Sequence, residues 1–424
     1  ATDAESVMKE TLLAHSERLR VTDSAAYAAE GLPRYEEHMK RASALLDPSL
    51  FGAKGIREDL MRSGLDFLVS FCMRKGDTRS AILYGEIRRQ VSLWSTTGSA
   101  YRIPLSAAAS AAYASAKSAQ SYTDALAAYP ELACERRVLF SPLEALQKKI
   151  PYGSAVLVVS KNEDDIFAWI IERESVQPVR VAGGYGKLAS AVSDFESAVR
   201  DMTPVSAAAA SLNQLLAPVI RPLNGKRVFI VADEFTEKIP FEILGSGKML
   251  GRSGKLFYLA SLAGSLGGFT EPAAACAVIG GSALDASGVR ESGIVMGNRM
   301  NGIAHIASGI TAGRSGLQTM NIQVKELAAD KALAWIGGSL PFESESVFSM
   351  QMMRGSGASV ILNGAERGVN GQYFASLLYE RLARGDSIED SYSAAIGRLS
   401  ESQQWAHPAY WAGIRLYLRG VAEK

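Results

Sequence analysis

The sequence predicts an α/β protein: a helical N-terminal region, then a mainly parallel sheet covered by helices on both faces. Three observations predict it. In the first third of the chain, apolar residues recur at helical spacing. From Gly225 onward, short apolar runs of strand length alternate with helical segments. Those runs are nearly continuous, as in strands buried on both faces. The expected domains are a helical region over 1–146 and an α/β domain over 147–424. The second divides into a leading hairpin and helix, 147–222, and a core, 223–424.

Bulk properties narrow the function classes. A chain of 424 residues suggests two or three domains, and 47% hydrophobic with 21% charged residues suits a large buried core. A formal net charge of +1 gives no global field for nucleic acid or an anionic membrane surface. The best apolar stretches, such as 273–281, are strand-sized and too short for a membrane span. The expectation is a soluble chain with no nucleic-acid partner. Ala1 stands where a Met would begin an unprocessed protein; the chain is exported if Ala1 marks a cleaved signal, and cytoplasmic otherwise. Cys72, Cys134 and Cys276 have no CxxC spacing, which argues against a disulfide framework and a cysteine zinc site.

In the N-terminal region, Tyr35, Met39, Ala42 and Leu46 share one helical face, closed by Asp47-Pro48. Ile56, Leu60, Phe67, Leu68 and Phe71 continue the pattern. Gly76-Asp77 then breaks the chain before a helix carrying Leu83, Ile87, Val91 and Trp94. The 106–128 stretch, rich in Ala and Ser, is helical by propensity.

Beyond Pro151 the period changes. Residues 155–159 and 166–171 read as strands around a polar turn, 162–165, and so as a β-hairpin. A helix follows with Leu188, Val192, Phe195 and Val199 on one face. Buried strands are predicted over 228–231, 276–279, 303–307, 333–336 and 359–362, with helices over 372–383 and 388–399. In such sheets, sites form at the carboxyl ends of strands, which points to the segments after Ala307 and after Ile336.

Several motifs fail on inspection. The pairs Gly186-Lys187, Gly247-Lys248 and Gly254-Lys255 lack the earlier glycine and following Ser or Thr of a phosphate loop. His15, His38, His305 and His407 are too scattered to form a metal-ligand pair on one helix. Gly337-Gly338-Ser339-Leu340-Pro341 follows a strand as a nucleophile elbow would, but Pro341 stands where the closing glycine belongs. No cofactor and no metal are expected.

Other segments carry a family resemblance. Leu223-Asn224-Gly225-Lys226-Arg227-Val228-Phe229-Ile230-Val231-Ala232-Asp233, followed by Lys238-Ile239-Pro240-Phe241-Glu242-Ile243-Leu244, resembles the signature of the CHAT family. Leu259-Ala260-Ser261-Leu262 and Gly357-Ala358-Ser359-Val360-Ile361 are similar to further family segments. His407-Pro408-Ala409-Tyr410-Trp411-Ala412-Gly413 matches the family's closing motif most specifically. The resemblance runs from about residue 147 to 420. It implies a caspase-like three-layer sandwich, often preceded by tetratricopeptide helices. The 65–86 pair, with Gly76-Asp77 at its turn and Ala81 and Tyr84 following, resembles one such repeat. A single such hairpin cannot bury its own face and must pack on something else.

Active CHAT members carry a Cys–His dyad, in which a thiolate attacks the carbonyl and the histidine activates it and protonates the leaving amine. Here the histidine segment reads His305-Ile306-Ala307-Ser308-Gly309-Ile310. His305 falls on the family's first, non-catalytic histidine, and Gly309 occupies the catalytic position. The later strand reads Leu333-Ala334-Trp335-Ile336-Gly337-Gly338-Ser339, with Gly338 or Ser339 where the cysteine belongs. Cys276 precedes the histidine strand, the reverse of the family's order. The 280–303 connection is also shorter than the family's. The resemblance therefore implies a pseudopeptidase that binds a protein or peptide partner. The alternatives are a peptidase using Ser339 with His305, and a small-molecule binding module.

Overall fold

The computed structural model describes residues 58–97, 143–162, 164–233, 235–245, 249–253, 255–260, 262 and 369–418. It also describes positions 108, 111, 115 and 128, and the strand segments 275–279, 295–296, 303–306, 311–313, 316–319, 322–323, 333–337 and 359–363. The chain divides into two compact units, Ala1–Ser141 and Pro142–Lys424. The helix expected around Tyr35–Leu46, Cys134, and the 280–303 connection apart from Val295-Met296 lie outside the described residues, as does most of 106–128. Ala108, Ala111, Ser115 and Ala128 of that last stretch are helical.

In the first unit, helix α1 (Glu58–Lys75) and helix α2 (Thr78–Thr97) pack as a hairpin. Gly76 adopts φ +74°, the left-handed conformation that closes a helix, and Asp77 donates its N–H to the Cys72 carbonyl at 2.8 Å. Asp77 Oδ1 then accepts from the Ser80 N–H at 3.1 Å and caps α2. Leu65, Leu68, Val69 and Cys72 of α1 are buried, with Ala81, Ile82, Tyr84 and Ile87 of α2. Leu83 is not part of this core: it is 37% exposed, off the stripe set by Ala81, Tyr84, Ile87 and Arg88. Arg88, itself buried, is paired with Asp66.

The second unit opens with a short helix, α3 (Leu143–Gln147), whose Gln147 amide donates to the Glu172 carbonyl at 2.9 Å. Strands β1 (Ser154–Asn162) and β2 (Asp165–Ile171) form the predicted hairpin, with Asn162 opposite Asp165. A third strand, β3 (Val176–Val181), pairs antiparallel with β2 and was not predicted. Helix α4 (Tyr185–Arg200) buries Leu188, Ala191, Val192 and Phe195, while Val199 is half-buried. Helix α5 (Ser206–Ile220) follows, and after it strands β4 (Arg227–Ala232) and β5 (Leu256–Tyr258).

The remaining strands are β6 (Ala275–Ile279), β7 (Val295–Met296), β8 (Ile303–Ile306), β9 (Thr311–Gly313), β10 (Gly316–Thr319), β11 (Ile322–Gln323), β12 (Leu333–Gly337) and β13 (Ser359–Asn363). Helices α6 (Val369–Ala383) and α7 (Ile388–Glu401) then lead to β14 (Ile414–Tyr417). One mixed sheet has the order β3-β2-β1-β4-β5-β14-β13-β12-β8-β6-β7, and β9, β10 and β11 form a small antiparallel sheet. All five predicted buried strands lie in the large sheet. Its direction was not anticipated. Neighbours are parallel within β1-β4-β5-β14 and within β13-β12-β8-β6-β7, but β13 and β14 pair antiparallel. The two halves therefore run in opposite directions.

Aromatic rings tie α6 and α7 to the sheet. Phe229 and Phe257 stand in register on β4 and β5 with centroids 5.8 Å apart. Phe257 meets Tyr392 of α7 at 6.2 Å, and Tyr392 meets Phe374 of α6 at 6.1 Å. Successive strand residues face opposite ways, so Tyr258 turns from Phe257 to the other face and stacks on Tyr417 at 5.2 Å.

Candidate functional site

Asp233 directly follows β4 and is 1% exposed. Its Oδ2 accepts from the Ser160 hydroxyl at 2.9 Å and the Lys161 N–H at 2.8 Å. Its Oδ1 accepts from the N–H groups of Phe235 and Thr236, at 3.1 and 2.9 Å, and from the Thr236 hydroxyl at 2.8 Å. The carboxylate is thus spent on pinning the turn after β4 to the end of β1. Beside it, the Lys161 ammonium lies over the rings of Tyr185 and Phe235, at 4.3 and 4.4 Å. Partial burial, with Asp233 nearby, raises the Tyr185 pKa.

The Pro240-Phe241 segment forms a single 3-10 turn over Phe241–Ile243, with Phe241 fully buried. The turn carries Glu242, 2% exposed, which accepts from the Tyr258 hydroxyl at 2.6 Å and from Arg415 Nε at 2.8 Å. Arg415 Nη1 donates to the Glu237 carbonyl at 2.7 Å. One arginine on the last strand therefore engages one carboxylate oxygen and one carbonyl of the Pro240 segment. Removing one partner of such a buried pair strands the other charge and costs about 3–5 kcal/mol. Burial is the main reason the Tyr258 pKa lies well above its ordinary value; Arg415 opposes the shift and Glu242 adds to it.

The closing motif packs on the same turn. His407 Nε2 faces the Thr203 carbonyl at 2.9 Å, and Nδ1 accepts from the Ala409 N–H at 3.2 Å, so the proton sits on Nε2. His407 thereby caps the 3-10 turn Pro408–Tyr410. The Tyr410 carbonyl accepts from the Asn370 amide at 2.8 Å, and the Tyr410 ring meets Trp405 edge-on at 5.0 Å. Trp411 is fully buried, and its indole N–H donates to the Ala406 carbonyl at 3.2 Å. A Cβ on Gly251 would stand 2.9 Å from the Glu242 carbonyl oxygen and 3.0 Å from Trp411, so the two motifs close over a hydrogen atom. Asp233, Pro240, Phe241, His407, Pro408, Tyr410 and Trp411 are thus framework residues. The motif reading had not included Gly251 and Arg415, which join its segments.

The dyad region lies elsewhere. Ile279 of β6 stands opposite Ile306 of β8, and Ile306 opposite Ile336 of β12. The three parallel strands end level, at one edge of the sheet. His305 sits inside β8, opposite Trp335 and Val278. Ala307, Ser308, Gly309, Gly338 and Ser339 lie outside the described residues. Asn363 of β13 pairs with Gly337. Because the sheet reverses between β13 and β14, Asp233 stands at the edge opposite to this one. Among the described residues, no cluster of His, Cys, Asp and Glu is suited to a metal ion, and no helix is long and apolar enough to cross a membrane.

No family model matches the chain, and no curated protein matches it.

Proposed function

We propose that residues 147–424 form a catalytically degenerate, caspase-like domain of the CHAT type, a three-layer sandwich that holds a protein or peptide without cutting it. The preceding helical region belongs, on this reading, to the tetratricopeptide type. The observation that carries the proposal is the level ending of β8 and β12, with Ile306 opposite Ile336. The described ends of the two strands thus lie side by side at one edge of the sheet. A caspase-like dyad needs that juxtaposition, because its base and its nucleophile come from two different strand ends.

The residue types supply the other half. Gly309 has no side chain to accept a proton, so neither Ser339 nor any thiol placed there would be activated. His305 lies within β8, ahead of the strand end, and is not the base of the family pattern. The reading keeps binding and drops turnover, because losing a base and a thiolate removes nucleophilic activation alone. Turnover of a broad peptide library by the intact chain tests the reading, with Ser339→Ala and His305→Ala beside it. The expected result is no cleavage by any of the three. Cleavage by the wild type that disappears on Ser339→Ala would overturn it.

A further inference from the structure

The edge at which β12 and β13 end continues across the reversal into the amino ends of β5, β4 and β1. Asn363 stands opposite Ile414, and Arg227 opposite Ser154. There a groove of about 1120 Å³ lies between the strand starts and the first turns of α7. It is larger than the ~300–1,000 Å³ of small-ligand pockets and suits a peptide segment.

Its charges do not cancel. The acidic groups on the α7 side are each engaged: Glu389 with Arg227, Asp386 with Arg381 at 2.8 Å, and Asp390 with the Ser387 hydroxyl at 2.8 Å. Two of the cations lining the groove have no carboxylate among the described residues. Arg252 donates to the carbonyl oxygens of Ser400 and Ala406, at 3.1 and 3.4 Å, and lies 5.6 Å from the Trp411 ring centroid. Lys255 is exposed. In its lining, Gly153 and Gly225 have φ +71° and +78°, with nothing within 4 Å of where a Cβ would stand. That leaves backbone open to a close-lying chain.

We infer that this groove holds an acidic peptide segment, whose carboxylates meet Lys255 and Arg252. The inference rests on the peptide-binding reading above and extends it to a chemical class, through residues that the dyad does not include. Charge-assisted contacts of this kind are strong, directional and weakened by salt.

Fluorescence anisotropy with labelled hexaglutamate and the intact chain tests it, alongside hexalysine and an oligothymidylate of similar charge. Hexaglutamate is expected to bind saturably, more tightly than either control. Lys255→Glu and Ser393→Glu, which place negative charge on the groove's two walls, should each weaken it about tenfold or more. Lys255→Gln should fall between, with thermal melts unchanged. Absent hexaglutamate binding, tighter binding of either control, or indifference to both substitutions would overturn the inference. Peptide cleavage by the wild type would instead overturn the non-catalytic reading and leave this one standing, so the two failures are distinct.

Discussion

Tyr258 and Tyr392 show how much of this domain's stability rests on single buried polar groups. Both residues are buried, and burial pushes both hydroxyl pKa values upward. Tyr392 donates to the Ile414 carbonyl at 2.8 Å, and Tyr258 to Glu242. In the unfolded chain each would ionise near its ordinary value of 10.0. Above that pH the unfolded state has lost a proton that the folded state keeps. The stability is therefore complete below pH ~10 and lost as pH rises further. Urea unfolding between about pH 9 and about pH 11 should show the unfolding free energy falling with pH. Tyr258→Phe and Tyr392→Phe should each flatten that slope by about 0.7 kcal/mol per pH unit averaged over this window. Slopes unchanged by both substitutions would contradict the assignment. None of this was legible beforehand. The motifs singled out Asp233, Pro240, Phe241, His407, Pro408, Tyr410 and Trp411 by resemblance, but a motif does not say that its acid is a staple. Arg415 gave no signal of its own, since a lone arginine in a terminal strand looks like any exposed cation until its partner is known.

The elements were more readable, and the misses share a cause. Continuous apolar runs found β4, β6, β8, β12 and β13, because burial on both faces leaves no polar interruption. Strand β3 escaped because it lies at the sheet's edge: Gln177, Pro178 and Arg180 are exposed, and a proline is tolerated where no further ladder must form. Helix α5 escaped because its Ala-rich opening hides the stripe of Leu212, Leu216 and Val219, although that spacing was there to find. The contact between the Pro240 turn and the closing motif belongs to this scale. Gly251→Ala should destabilise the domain by about 1–3 kcal/mol, because a methyl group would press on the Glu242 backbone and the buried Trp411 ring. Thermal or urea unfolding checks it, and a neutral result would mean that the two motifs do not close on that glycine.

At the scale of the whole second unit, the decisive feature is the reversal between β13 and β14. Strand direction depends on how connections cross the sheet, and apolar patterning carries no record of it. The sequence therefore suggested one mainly parallel sheet where there are two parallel halves running oppositely. Asp233 and its staple are carried to one edge, while the ends of β6, β8 and β12 share the other with the basic groove. On the proposed reading, this second edge keeps a caspase-like layout and has lost only its chemistry. Restoring the dyad tests it most directly, with Gly309→His combined with Ser339→Cys or with Gly338→Cys, and turnover followed against a broad peptide library. The account predicts that one of the two double variants gains cysteine-dependent cleavage absent from the wild type. Two folded double variants that both remain inert would contradict it.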